Sequence, residues 1–367
     1  MMRTMLIAAV VAGAGSMIAA GDDDFEVFAK LPQGPGNLTV TPAGDVIVSL
    51  HQFYETEARV VKVSRDGEMT PYPNEAWAVG GAVGDRLTLD SVLGIQSDTM
   101  GIVWMLDNGM RSGITPKLVG WDSRRDRLVR VVHLPPPITP KEGAFVNDLA
   151  VDTTHNTIYI ADPANGPDAA LIVVDLSTGH ARRVLEGHRS VVPEDEDLII
   201  DGSAVEILLD DGEVIRPRVG VNPIALDAQN QWLYYGPMHG RTLYRIRAAD
   251  LRDPSLSPEE LEDRIERYAD KPLCDGISID RSGNIYISDL ASNAIGMIDA
   301  DREYRIRYQD PTRLAWPDAF AFGPDGWMYV VSNQLHRSKR LNAGETAVEP
   351  PFYINRFRPR SAGTVGR

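Results

Sequence analysis

A single cysteine, Cys274, in 367 residues rules out a disulfide within the chain, so a packed core must carry its stability alone. Positive charge is also scarce. Against 52 Asp and Glu stand 37 Lys and Arg, a net charge of −15. No stretch forms a basic stripe, and an acidic surface repels phosphate backbones, which argues against nucleic acid as a partner. Zinc-ligand spacing, a phosphate-cradling glycine loop, a dinucleotide fingerprint and a serine nucleophile elbow are all missing. Apolar runs are short. The longest begins after Arg3, continues through Ala20 and is broken by small and polar residues, too short for a stable span. With "GDDD" after it, this run reads as a secretory leader over residues 1–20, cut near Ala19 or Ala20. The expected product is one domain over residues 21–367, periplasmic or secreted and without a membrane anchor. No heptad or large apolar patch calls for assembly, so a monomer is expected.

What the sequence does contain is repetition. Alternating apolar runs, each followed by a polar turn and a second run, recur six times. The instances are "NLTVTPAGDVIVSL", "LGIQSDTMGIVWMLD", "NDLAVDTTHNTIYIAD", "NPIALDAQNQWLYYG", "DGISIDRSGNIYISD" and "DAFAFGPDGWMYVVSN". Their turn residues are Thr41, Asp98, Asp152, Asp227, Asp280 and Gly323. Period-two alternation signals strands, and a small sheet repeated at this interval buries its two faces only by stacking. The pattern predicts an all-β, six-bladed propeller with four-stranded blades, in which the C-terminal "PFYINRFRP" closes or completes the ring. Extra length between the third and fourth units includes a hairpin around "DDGE". "LSPEELEDRIERYAD" predicts a short surface helix capped by Ser257 and Glu260, with Leu261, Ile265 and Tyr268 on its buried side.

Five residues before the turn position, four consecutive units carry Asn147, Asn222, Asp275 and Asp318, while the first two carry Gly36 and Leu93. In a propeller the first strand of each blade is innermost, so these four converge on the axis. Oxygen-rich side chains there suit a hard cation such as Ca2+, which offsets the repulsion between packed carboxylates. Strand-end capping by the same residues is the alternative. Asp152, Asp227 and Asp280 are expected to bond their own turns, and Cys274 to be a buried structural thiol. Loops at the ends of second strands supply further candidates for a substrate pocket: His51, Arg111, His239 and His336. Ring closure brings His51 and His336, from the first and last units, to the same side of the ring.

The ordered set "FVNDLAVDTTHNTIYIADPA", "ALIVVDLSTGHARRVLEGH", "NPIALDAQNQWLYYGPMHGRTLYRI", "DGISIDRSGNIYISDL" and "WPDAFAFGPDGWMYVVSNQLH" resembles the major royal jelly and Yellow protein family, in a bacterial form. The resemblance implies a six-bladed propeller within the wider group that includes calcium-dependent lactonases of the senescence-marker and gluconolactonase type. In those, a Glu, an Asn and an Asp hold the metal, with a second Asn nearby. By resemblance Asn222 matches the metal Asn, Asp275 the metal Asp and base, and Asn147 the additional Asn. The Glu is missing: "QGPGNLTV" offers Pro35, Gly36 and Asn37 instead. Asp318 is the candidate replacement and, with Asp275, the candidate catalytic acid or base. Three functions follow: a calcium-assisted lactone or ester hydrolase, a non-catalytic binder of a small ligand or protein, and a dopachrome-type tautomerase.

Overall fold

The computed structural model describes residues 24–79, 88–140, 143–209 and 211–367. The leader expected at residues 1–20 lies outside the described residues. Each sequence unit forms a four-stranded antiparallel sheet, and six such sheets are the blades of a propeller. The innermost strands, in order, are Pro35–Val40, Val92–Ser97, Asp148–Asp152, Val221–Leu226, Cys274–Ile279 and Pro317–Phe322. Each packs beside the next and the sixth beside the first, so the ring closes. Hydrogen bonding fastens the closure. Phe352–Phe357 is the third strand of the last blade, and Phe25–Leu31, from the other end of the chain, pairs with it as the fourth. The C-terminal strand therefore completes the ring as expected, jointly with an N-terminal strand. Such pairing removes an open seam from the sheet array.

Alternation explains why the blades stack. Residues on one face of a blade pack against the preceding blade and those on the other against the following one. The result is an apolar core at every blade junction. Between the second and third blades lie Leu106, Leu118, Ile158, Ile160 and Ile172, all fully buried. Between the sixth and first lie Leu38, Val40, Val48, Ala321 and Val331. A fully buried side chain of this size contributes about 1.5–3 kcal/mol. The turn aspartates act locally, as anticipated. Asp280 accepts from the backbone N–H groups of Ser282 (2.9 Å) and Asn284 (3.0 Å), and Asp227 from that of Gln231 (2.7 Å).

The capping box at Ser257 and Glu260 is present, but the helix is a single turn, Pro258–Glu262. Tyr268 lies instead in Glu266–Asp270, the outer strand of the fourth blade. The i, i+4, i+7 spacing of Leu261, Ile265 and Tyr268 arises where a helical turn passes directly into a strand. The expected hairpin forms between Ile207–Leu208 and Val214–Ile215. Among the described residues, no helix is long and apolar enough to cross a membrane.

Candidate functional site

Asn147, Asn222, Asp275 and Asp318 stand at one level of the axis, at the start of four neighbouring innermost strands. In the fourth, fifth and sixth blades the level is set by β-bulges. Strand register shifts between Val221 and Ile224, between Cys274 and Ile277, and between Pro317 and Phe320. A bulge re-aims the residue inside it, and here that residue is the polar one. In the fifth blade the Ser288 hydroxyl stitches the bulge, accepting from the backbone N–H groups of Asp275 (3.1 Å) and Gly276 (2.8 Å). Gly276 is needed there because a Cβ would sit 2.4 Å from the Asp318 carbonyl oxygen of the next blade.

The ring is hydrogen-bonded across blades. The Asn147 carboxamide donates to that of Asn222, which in turn donates to Asp275 Oδ1. Asp275 Oδ2 accepts from the Trp316 indole Nε1 at 2.6 Å, and Asp318 Oδ2 from Asn333 Nδ2 at 2.8 Å. A third carboxylate, unforeseen in the sequence, completes the cluster. Asp148, next to Asn147, accepts from Asn37 Nδ2 (3.1 Å) and its neighbour's Leu149 N–H (2.9 Å). Burial pushes the Asp148 carboxyl up to about 7, with the Asp275 charge adding to it. Burial likewise lifts Asp275 to about 6, despite the donors from Trp316 and Asn222. Asp318 is raised well above the usual range, by burial first and then by the charges of Asp275 and Asp148. Among the described residues, no Lys or Arg side chain offsets these three.

The loop candidates sit around this cluster rather than in it. His51 accepts the Phe53 backbone N–H at Nδ1 (3.1 Å) and packs edge-on against Phe53 and Tyr54. Burial, aided by Arg111, drives its pKa down to about 3, so it is neutral. His336 stacks on Trp316 with ring centroids 6.0 Å apart, and no described contact joins it to His51. His239 accepts the Val219 N–H at 3.1 Å, and its buried Nε2 has no partner. Burial lowers both His239 and His336 to about 4. Arg111 donates to the Thr56 hydroxyl at 3.2 Å. Asp107 is structural: buried, it takes three backbone N–H groups and the Lys117 ammonium at 2.7 Å. Cys274 is buried, as anticipated.

Residues 194–207 form a strap over the same end of the ring. Leu198, Ile200 and Val205 share one apolar cluster with Met238, Leu273, Leu290, Trp316, Leu335 and Leu341 from the last three blades. Arg241 pairs with Glu196, and Asn293 donates to Asp201 at 2.8 Å. On the other side of the ring a polar cavity runs along the axis past Asn37, Gln96, Asp148 and Ser278 to Arg367.

The donor set fits a hard cation: two carboxylates and two carboxamides, all oxygen-bearing, in a partly buried cluster with an excess of negative charge. Among the described residues, no three His, Cys, Asp or Glu side chains group tightly enough to hold a metal by themselves, so the carboxamides are required. The carboxyl groups feel one another's charge, Asp275 and Asp148 raising Asp318 and Asp275 raising Asp148, which suits acid–base chemistry.

A sequence profile described as major royal jelly protein matches residues 90–350. Major royal jelly protein 7 of Apis mellifera is 24% identical over 208 residues, 54% of this chain and 42% of that protein. The chain spans about half the length of the curated relatives it matches. Solved structures share the fold at low identity. A gluconolactonase from Xanthomonas campestris superposes with a TM-score of 0.55 at 12% identity, covering 91% of this chain and 89% of that one. The calcium-binding protein regucalcin from Agrobacterium tumefaciens gives 0.55 at 13%, covering 92% and 99%.

Proposed function

The chain belongs to the major royal jelly protein family, and from that premise and its acidic axis we propose that it is an extracytoplasmic, calcium-assisted hydrolase of small lactones or related esters. One observation carries this reading. Asp275 is buried and Asp148 and Asp318 are half-buried around it, beside Asn147 and Asn222, and no Lys or Arg among the described residues offsets them. The gluconolactonase and regucalcin, which share the fold, lend it support.

Asn147, Asn222, Asp275 and Asp318 would hold the ion. Bound Ca2+ supplies a Lewis acid that polarises an ester carbonyl. Asp275, with a pKa near 6, is ionised at neutral pH and takes the proton from the attacking water as the C–O bond to the carbonyl carbon forms. Asp318 would serve as the second carboxylate ligand, and Asp275 passes the proton it took on to the ring oxygen as the ester C–O bond breaks, leaving a hydroxy acid. The side chains of Trp316 and Asn333 hold these two carboxyls in place. His51, Arg111, His239 and His336 would belong to the loops that surround the substrate.

The test is acid release from a lactone panel with Ca2+ added, comparing the native chain with Asp275→Asn. Turnover that the substitution abolishes is expected; no turnover on any lactone rejects hydrolysis. The second reading, a non-catalytic receptor for a small polar ligand, is favoured by Gly36 in place of an acidic ligand and by the strap across the mouth. Saturable ligand binding without turnover would support it.

A further inference from the structure

Two large side chains of the last blade sit on backbone that breaks the usual rule. Trp316 has φ +55° and Gln334 φ +53°. The left-handed region disfavours a bulky aromatic, and side chains held in it cluster where a structure needs them at one particular angle. They are joined to each other's neighbourhood. The Asn333 N–H donates to the Trp316 carbonyl (3.1 Å), and the Gln334 N–H to the Ala315 carbonyl (3.0 Å). The segment before the innermost strand and the segment after the second strand thus form a bracket. Each arm ends on a different acid of the axial cluster. Trp316 donates to Asp275 at 2.6 Å, and Asn333 donates to Asp318 at 2.8 Å.

The bracket is clamped from outside. The Tyr54 hydroxyl, from the first blade, donates to the Asn333 carbonyl. Gln334 exchanges two hydrogen bonds with the Glu349 backbone, at 2.9 and 3.0 Å. Trp316 is buried in the apolar cluster that also takes Leu198, Ile200 and Val205 of the strap, with the His336 ring stacked over its indole. The strap is latched beside it: Arg337 lies 3.7 Å from Asp201, and the Ala343 N–H donates to the Glu206 carbonyl at 2.9 Å.

We infer that Trp316 and Asn333 are positioning residues that fix the Asp275 and Asp318 carboxyls, and that the strap over residues 194–207 holds Trp316 in that setting, so that closure of the mouth and alignment of the site are one event. The consequence for catalysis rests on the hydrolase reading above; the bracket itself does not. A strap that lifts to admit substrate would release the indole, and Asp275 would be aligned again only on closing.

The six indole N–H groups of the chain make this measurable by 1H–15N spectroscopy, with Trp316 assigned by its loss in Trp316→Phe. Asp275→Asn, in metal-free protein, moves the Trp316 indole resonance and leaves that of Trp104, in the second blade, in place. Ile200→Ser, in the strap, speeds solvent exchange of the Trp316 indole proton about tenfold or more, with Trp104 unchanged. Calorimetry with Ca2+ supplies the functional arm. Trp316→Phe keeps the aromatic packing, loses the donor and weakens Ca2+ binding about tenfold, while Trp327→Phe binds as the native chain does. A Trp316 resonance indifferent to Asp275→Asn, exchange accelerated equally at Trp104, or Trp316→Phe binding Ca2+ as tightly as the native chain overturns the inference. A native chain that binds no Ca2+ rejects the cation reading instead, and the indole measurements still decide the bracket.

Discussion

Replacing Asp148 by Asn should stabilise the protein at alkaline pH and leave it unchanged in acid. In the unfolded chain this carboxyl titrates near its ordinary 3.8; in the fold, burial raises it to about 7. The folded state therefore binds the proton more tightly than the unfolded state between those two values. Stability falls as pH rises through that window, and the penalty is complete above about 7. A difference of about three units at 1.36 kcal/mol each sets a ceiling of about 4 kcal/mol. Part of it belongs to the Asp275 charge, so about 2–4 kcal/mol is expected. Asn keeps an acceptor for Asn37 Nδ2 and the Leu149 N–H and carries no charge, so it escapes the penalty. Urea denaturation of both chains in EDTA, near pH 4 and near pH 8.5, measures the effect. Asp148→Asn should exceed the native chain by about 2–4 kcal/mol at the higher pH and match it at the lower. An equal gain at both values, or none at the higher, refutes the claim that Asp148 sits half-buried in the cluster without a compensating charge.

Two further substitutions probe how the site is held. Lys117→Met strands the fully buried Asp107 carboxylate and should cost about 3–5 kcal/mol in urea denaturation at neutral pH; a loss below about 1 kcal/mol would show that its three backbone N–H donors suffice. Gly276→Ala places a Cβ 2.4 Å from the Asp318 carbonyl oxygen, so it should both destabilise the fold by about 1–3 kcal/mol and weaken Ca2+ binding by shifting the sixth blade's innermost strand. Calorimetry that finds native affinity in this variant would show that blade spacing does not set the position of Asp318.

How far the sequence reveals the site depends on whether a feature repeats. Asn147, Asn222, Asp275 and Asp318 were visible because the blades repeat, each lying five residues before its turn position. Asp148 was invisible to the same comparison. Its counterparts one residue below the ring are Asn37, Gly94, Pro223, Gly276 and Ala319, and no polar series marks the level. Trp316 escaped for another reason: it reaches its carboxylate from a left-handed backbone turn, and hydrophobic periodicity carries no trace of that. The strap showed only as surplus length between the third and fourth units, because its partners lie far along the chain, at Leu290, Leu335 and Leu341. Likewise the outermost strand of the last blade comes from Phe25–Leu31, and its partner is more than three hundred residues away.

The missing acid of the first blade also has a structural cause. A Cβ at Gly36 would lie 2.9 Å from the Ser49 hydroxyl and 3.4 Å from the Leu93 side chain. That hydroxyl is committed: it accepts the Asn37 N–H at 2.8 Å and donates to the Leu93 carbonyl at 2.7 Å, tying the first blade to the second. An acidic side chain at position 36 would have to displace this tie. The first blade instead contributes its next residue, Asn37, whose amide reaches Asp148 across the axis. Negative charge thus moves to the third, fifth and sixth blades, on Asp148, Asp275 and Asp318. Placing Glu at position 36 should therefore weaken the fold rather than improve a cation site, because it breaks the Ser49 tie and adds a fourth carboxylate to a cluster in which Asp275 and Asp148 already raise Asp318.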